Sequence, residues 1–130
     1  MKSRVIISTP IIISYGLNEK EMEKIDLIAK KVNVKHKAVF DDCLNEQIGY
    51  LCEFKSFEKS KEQSIQTGNG KCIIFSGILQ KNISAILKEI KVEQLDIPLK
   101  AMVTPANQSW KLFELIEELK KEHEFMTSRK

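Results

Sequence analysis

Hydroxyl, amide and glycine residues follow the apolar segments of this sequence, and they are the positions where chemistry could occur. One group stands after an early apolar run, a second after a central run and a third near the C-terminal third of the chain. Hydroxyls and helix N-terminal amides of this kind bind small polar or anionic ligands. The same residue types also form helix caps and tight turns, which is the simpler interpretation. The candidate ligand-binding residues are Ser14, Tyr15, Gly16, Asp41, Ser76, Gly77, Thr104 and Asn107.

The titratable residues show no recognisable catalytic pattern. The chain has two histidines, His36 and His123, and no Ser, Cys or Asp stands at a spacing that predicts a triad. His123 is in line with the apolar stripe of the last predicted helix, so we expect a partly buried structural histidine. We predict no catalytic residue and no cofactor from the sequence.

Three cysteines, Cys43, Cys52 and Cys72, are widely spaced and contain no Cys-x-x-Cys pair. A zinc site or a disulfide framework needs closer grouping and more ligands, so we predict reduced thiols and no metal site. The carboxylates of Asp41 and Asp42 should disfavour the Cys43 thiolate and make it a poor nucleophile. A redox or metal role would require two of the three thiols to come within bonding distance.

Two aromatic residues near the C-terminus are candidates for contact with a protein partner. Trp110 lies nearly opposite the apolar stripe of the last predicted helix, and Phe113 also lies off that stripe. An aromatic side chain in this position either packs onto neighbouring loops or faces outward as an anchor for a partner. Packing is the preferred interpretation for Trp110, and partner contact through Trp110 and Phe113 is the alternative.

Composition limits the class of protein. The 130 residues are 42% hydrophobic and 30% charged, with a net charge of +3 in which acidic and basic residues are interleaved. Interleaved charges do not form the basic surface that nucleic acid requires. The longest apolar run, Ile11-Ile12-Ile13, is too short to span a membrane. We predict a single cytoplasmic domain over residues 1–130, with no nucleic acid and no membrane as partners.

Apolar spacing predicts alternating strands and helices. Asn18 and Glu21 begin the first helix as a capping box, and Asp41-Asp42 could cap a second helix with Leu44, Ile48 and Leu51 on one face. Continuous apolar runs indicate strands that are covered on both faces. The predicted strands are 11–15, 35–40, 71–77 and 97–104, and the predicted helices have apolar stripes ending near Val32, Leu51, Ile90 and Met126. Residues 1–8 could add an edge strand.

The sequence predicts an internal repeat. Ile12-Ile13-Ser14-Tyr15-Gly16-Leu17 resembles Ile73-Ile74-Phe75-Ser76-Gly77-Ile78, and a helix and a second strand follow each segment. We therefore predict two βαβα half-repeats, about 11–52 and 71–126, joined by loop 53–70. The expected fold is α/β, with one mostly parallel four-stranded sheet in the order 2-1-3-4 and helices on both faces. In such a sheet, ligands bind beyond the carboxyl ends of the strands at the switch point between the first and third strands.

Segments of the C-terminal half resemble a small bacterial family of unknown function. The resemblance rests on Leu99-Lys100-Ala101-Met102-Val103-Thr104-Pro105-Ala106-Asn107-Gln108-Ser109-Trp110, on Glu117-Glu118-Leu119-Lys120-Lys121-Glu122-His123, on the strand end Phe75-Ser76-Gly77-Ile78 and, upstream, on Ile48-Gly49-Tyr50-Leu51. It is similar to the pattern LKA..TP.N..W....L..EL..EH, covers most of residues 11–126 and is most specific over 99–123. It implies a bacterial cytoplasmic protein and no known activity.

Two hypotheses about function follow. The first is a non-catalytic protein-interaction or regulatory module, for which a homodimer is one form that the contacts could take. The second is a small-ligand binding protein, for an anion or a nucleotide-like molecule, or an unrecognised enzyme with its site at the carboxyl ends of the central strands. The two differ in whether those strand ends form an open polar site.

Overall fold

The computed structural model describes residues 9–61 and 70–128, and strands alternate with helices along them. The elements are β1 (Ile11–Tyr15), α1 (Glu19–Lys31), β2 (Lys35–Val39), α2 (Ile48–Leu51), β3 (Cys72–Ser76), α3 (Gln80–Val92), β4 (Leu99–Met102) and α4 (Leu112–Ser128). A 3₁₀ turn at Asp41–Cys43 precedes α2. The extra strand predicted before Ile11 falls on residues 1–8, which lie outside the described residues. The side chain of Met126, placed on the apolar stripe of α4, also lies outside them.

The four strands form one sheet in the order β2-β1-β3-β4, as the sequence predicted. β1 pairs with β2 in parallel, and β3 pairs with β4 in parallel, so the sheet is mostly parallel. The two central strands, β1 and β3, are antiparallel, with Ile13 opposite Ile74 and Ile11 opposite Ser76. The carboxyl ends of β1 and β3 therefore lie at opposite ends of the sheet, measured along the strands.

Helices cover both faces of the sheet, which confirms the predicted α/β architecture. Alternate residues of a strand point to opposite faces, so each face has its own core. The α1–α3 core contains Ile12, Leu17, Ile25, Ile28, Ala29, Val34, Ile73, Phe75, Ile83, Ile86, Ile90 and Ile97. The α2–α4 core contains Ile11, Ile13, Tyr15, Val39, Leu44, Ile48, Leu51, Cys52, Cys72, Ile74, Leu99, Leu112, Leu115 and Ile116. The central strands contribute to both cores, and this explains their continuous apolar sequences.

α1 and α3 have the same length and end in the same way, but they begin differently. The Asn18 side chain accepts a hydrogen bond from the Glu21 backbone, and the Glu21 carboxylate accepts one from the Asn18 backbone, which confirms the predicted capping box. α3 has Leu79 at its N-cap position, with no side-chain cap. Beyond the two helices, Asn33 and Gln94 each have a φ of 59°, a left-handed conformation that stops a helix.

The second helix is much shorter than the sequence predicted. Leu44, Ile48 and Leu51 are buried as expected, but only Ile48–Leu51 is α-helical. The backbone before it bonds instead to the segment that leads into α4. Gly49 leaves room for the Phe57 ring, because a Cβ at that position would lie 2.5 Å from carbons of the ring. The prediction of one continuous helix from Asp41 was wrong because it did not include this partner segment.

The segments before α2 and α4 form a reciprocal ladder of backbone hydrogen bonds. Each donor in the first half corresponds to a donor 64 residues later, and each acceptor corresponds to an acceptor 64 residues later. The bonds are Ile48 N to Trp110 O (2.9 Å), Leu112 N to Glu46 O (2.9 Å), Gly49 N to Gln108 O (2.8 Å) and Phe113 N to Leu44 O (3.1 Å). The ladder and the β1–β3 pair are both antiparallel and both join the first half of the chain to the second.

Candidate functional site

The structure divides the predicted ligand-binding residues into two groups, which lie at opposite ends of the strands. Tyr15 lies opposite Cys72, at the start of β3, whereas Ser76 lies opposite Ile11, at the start of β1. One end of the sheet, which we call the Tyr15 end, therefore holds Ser14, Tyr15, Gly16 and Asp41. The opposite end, which we call the Ser76 end, holds Ser76, Gly77, Thr104 and Asn107. The prediction that both groups meet at a single switch point was wrong because it assumed that β1 and β3 are parallel.

At the Tyr15 end of the sheet, the polar side chains bind one another. The hydroxyl of Tyr15, which is buried, donates to the carboxylate of Asp41. The Lys71 ammonium lies 2.6 Å from the buried Glu21 carboxylate. Gly16 has a φ of 81° and approaches the Gly70 backbone so closely that a Cβ would collide with the Gly70 carbonyl oxygen. These contacts form a closed turn and not an open anion cradle.

The Glu21 carboxyl has a pKa below its ordinary value. Burial raises the pKa of Glu21, but hydrogen bonds from Lys71 and from the Asn18 backbone, with the Lys71 charge, lower it by more. Glu21 is therefore ionised and serves as both helix cap and ion-pair partner.

At the Ser76 end of the sheet, Thr104 and Asn107 form hydrogen bonds with each other. The Thr104 backbone donates to the Asn107 side-chain oxygen (2.8 Å), and the Asn107 backbone donates to the Thr104 hydroxyl (3.1 Å). The Asn107 amide nitrogen also donates to the Met102 carbonyl (3.1 Å). Ser76 is buried, and Gly77 turns the chain with a φ of 67°. This geometry agrees with the cap-and-turn interpretation of these residues.

A buried polar cluster was not predicted from the sequence. The Ser14 hydroxyl lies 2.8 Å from Nε2 of His36, and Nδ1 of His36 lies 3.5 Å from an Asp26 carboxylate oxygen. Hydroxyl, imidazole and carboxylate follow one another as in a hydrolase triad. Ser14 is only 1% exposed, however, so a substrate cannot reach its oxygen. The sequence signal was a serine within an apolar strand, but its partner depends on the register that places Ile12 opposite His36.

The pKa of His36 is below the ordinary value for histidine. Burial lowers it, and the hydrogen bond and charge of Asp26 raise it by less. His36 is therefore neutral at neutral pH. A neutral ring that donates from Nδ1 to Asp26 accepts from the Ser14 hydroxyl at Nε2.

A groove of about 410 Å³ runs between α1 and α3 on the outer face of the molecule. Ion pairs cross it between Lys24 and Glu93 (3.6 Å) and between Lys31 and Glu89 (3.0 Å). Leu27, 59% exposed, lies in its lining. The third lysine of the lining, Lys30, lies 3.3 Å from an Asp26 carboxylate oxygen. Each lysine of the groove therefore already faces a carboxylate, and this disfavours the selection of an anion.

The predicted partner residues differ in exposure. Trp110 is 37% exposed, whereas Phe113 packs against the α2–α4 core. Trp110 follows β4 and is joined to it through Asn107, which accepts from the Trp110 backbone (3.0 Å) and donates to Met102. Met102 is 49% exposed. We call the three residues Lys100, Met102 and Trp110 together the β4 rim.

The three thiols lie in surroundings that disfavour the reactive thiolate. Burial raises the pKa of Cys52 to about 11 and that of Cys72 to about 12. The pKa of Cys43 is also raised, first by burial and then by Asp42, in the direction the sequence predicted. Among residues 9–61 and 70–128, no three His, Cys, Asp or Glu side chains form a metal-binding group. His123 is exposed, so its predicted burial was wrong.

Comparison with known proteins gives one match. Residues 71–126, which contain β3, α3, β4 and most of α4, match the model of a domain of unknown function, DUF3783. The match covers less than half of the chain and agrees with the predicted resemblance to an uncharacterised family. No curated protein and no solved structure matches the chain. None of the described helices has the length and apolar character needed to cross a membrane.

Proposed function

We propose that this protein is a non-catalytic interaction module that binds a protein partner along the β4 rim. The observation that carries the proposal is the exposure of Met102 on the edge strand β4 and of Trp110 in the segment that follows it. Large aromatic and methionine side chains are enriched at protein interfaces and supply much of their binding energy. A bacterial, cytoplasmic setting, as the family resemblance implies, is part of the same proposal.

The contrast between the two sheet edges supports the β4 rim as the contact surface. At the β2 edge, Lys35 lies 2.8 Å and Lys37 lies 3.6 Å from carboxylate oxygens of Glu53. Paired charges of this kind protect an edge strand from association with other strands. On β4, Lys100 is the charged residue, and the exposed Met102 follows two positions later. The β4 edge is therefore the less protected of the two.

The backbone of β4 favours an extended partner segment. The Leu99 and Val103 amides donate inward, to Lys71 and Phe75 of the β3 segment. Because successive residues of a strand direct their amides to opposite sides, those of Lys100 and Met102 face away from the sheet. An added strand would bond to these amides, with an apolar side chain against Met102 and an acidic one near Lys100.

The ligand-binding alternative has less support. Its candidate residues lie at opposite ends of the strands, and the side chains of Tyr15, Thr104 and Asn107 are engaged in internal hydrogen bonds. A site formed by either group alone would have to break those bonds before it could bind a ligand.

The proposal also includes the predicted duplication, with half-repeats 11–52 and 71–126. The reciprocal ladder between Leu44–Gly49 and Gln108–Phe113 supports it, as do the equal φ angles after α1 and α3. The family match lies within the second half, which is consistent with that half being a unit of sequence. In this arrangement the halves are related by an approximate two-fold axis, with Ile13 and Ile74 facing each other at the centre.

The test is a comparison of rim variants with a matched aromatic variant at the other edge. The intact chain would be used as bait, and partners that it captures would be purified and measured by calorimetry. Met102→Lys and Trp110→Ala should each weaken binding at least about tenfold, which is typical of a hot-spot residue. Phe40→Ala, which removes an aromatic side chain that is 57% exposed at the end of β2, should have little effect. Equal binding by all variants would exclude the β4 rim as the contact surface.

A further inference from the structure

We infer that Ser14, His36 and Asp26 form a proton-sensitive latch that ties α1 to the edge strand β2 and loosens as the medium becomes acidic. The three residues come from β1, β2 and α1, so the Ser14–His36 hydrogen bond and the His36–Asp26 contact connect three elements. His36 is central to the cluster because each ring nitrogen contacts a different neighbour. The inference does not depend on the β4 rim, but its comparison of the two halves uses the proposed duplication.

The second half of the chain is built without such a cluster. Ser14 is the fourth residue of β1, His36 the second of β2 and Asp26 the eighth of α1. The same positions of β3, β4 and α3 hold Phe75, Lys100 and Leu87. Phe75 is buried and apolar. The βαβ unit therefore does not need a polar cluster at this place in order to fold, and this favours a specific role for it in the first half.

Protonation of His36 would disrupt the cluster in two ways. An imidazolium donates from both nitrogens, so the Ser14 hydroxyl would lose its acceptor. Ser14 is sealed from solvent, and water cannot replace that bond. The added charge would also be buried, since the His36 side chain is 5% exposed.

The charges around His36 only partly offset the cost of burying an imidazolium. From α1, Asp26 faces the ring, and it also accepts from Lys30 at 3.3 Å. β1 contributes the neutral Ser14. On β2 itself, the neighbouring Lys35 and Lys37 point to the opposite face, where both bind Glu53. Asp26 is itself partly exposed, so its attraction for an imidazolium is screened by solvent.

The sign of the effect follows from the lowered pKa of His36. At a pH below about 6.5, the unfolded or opened segment binds a proton that the closed cluster resists. The latch is therefore fully formed above that value. It weakens as the pH falls from there towards the pKa of His36 in the folded protein.

Hydrogen exchange of the intact chain, read by mass spectrometry, tests the latch at about pH 7.5 and about pH 5.5, which bracket the ordinary histidine pKa. After correction for intrinsic exchange, protection in α1 and β2 should fall severalfold at the lower pH. Protection in α3 and β4, the matched elements, should stay nearly constant. Equal changes in both halves would overturn the inference.

Variants separate a proton-sensitive role from a merely structural one. His36→Gln should abolish the difference between the two pH values, and His123→Gln, which replaces an exposed histidine outside the cluster, should preserve it. Asp26→Asn keeps the ring but removes its carboxylate, so it should increase the acid sensitivity of α1 and move the His36 titration, followed by NMR, to lower pH. If Asp26→Asn left both unchanged, or if His36→Gln remained acid-sensitive, the latch would be excluded.

Discussion

At the scale of single residues, Gly49 is the position where one added carbon should be most informative. Its amide donates to Gln108, its carbonyl accepts from Phe54, and the Phe57 ring fills the space where a side chain would be. Gly49→Ala should lower the free energy of unfolding by about 1–3 kcal/mol, as overpacking does. This loss outweighs the gain of about 0.5–1 kcal/mol from alanine within a helix. Urea denaturation measures the difference.

A double variant identifies the cause of that loss. In a Phe57→Ala background the ring is absent, so Gly49→Ala should cost much less than in the native chain. Coupling between two residues in contact is read directly from such a cycle. A cost that was the same in both backgrounds would show that the ring is not what excludes a side chain at position 49.

Glu21 should make stability depend on pH in the acidic range. Its pKa is lower in the folded protein than in the unfolded chain, so its contribution is present above about pH 4.5 and is lost as the pH falls through the folded value. Glu21→Gln should therefore destabilise the protein at neutral pH and reduce the loss of stability on acidification. Urea midpoints on both sides of pH 4.5 measure this. Glu53→Gln, which alters an exposed ion pair, should change them little.

At the scale of elements, α1 and α3 provide a matched test of helix capping. Asn18→Ala should remove about 0.5–2 kcal/mol from the free energy of unfolding because the Glu21 amide loses its acceptor. Leu79 has a similar extended backbone, with φ of −64° and ψ of 146°, and is 64% exposed. Leu79→Asn should therefore stabilise α3 by adding a side-chain acceptor for the amides of its first turn. A loss of stability in Leu79→Asn would mean that its apolar contacts outweigh a cap.

The elements also show which features local sequence determines. The capping box at Asn18 and the apolar stripes of α1 and α3 depend on spacings of a few residues, so both could be predicted. The direction of β3 could not. A strand that is buried on both faces has the same apolar sequence whether its neighbour is parallel or antiparallel. The long connection from Glu53 to Gly70 leaves both directions open.

The candidate site depended on that one undetermined direction. If β3 were parallel to β1, Tyr15 and Ser76 would lie at the same end of the sheet. In the antiparallel arrangement they lie at opposite ends. The Ser14–His36 contact was equally out of reach, because it requires the register between β1 and β2. The exposure of Trp110 depends on the ladder with Ile48, which no local pattern indicates.

At the scale of the whole molecule, we expect the two halves to unfold together. Both cores take residues from both halves, and β1–β3 pairing and the reciprocal ladder cross between them. A half that separated would expose the apolar central strand of the other, so partial unfolding is unfavourable. Cysteine labelling in increasing urea can test this, because Cys52 and Cys72 are buried in different halves.

Cys52 and Cys72 should become reactive to a thiol reagent at the same urea concentration, and at the midpoint observed by circular dichroism. Their raised pKa values, about 11 and about 12, keep them unreactive in the folded chain. Cys43, which is only half-buried, should label earlier through local motion near the 3₁₀ turn and serves as the internal control. If Cys72 became reactive well before Cys52, or the reverse, the halves would be separate folding units joined by a weaker interface.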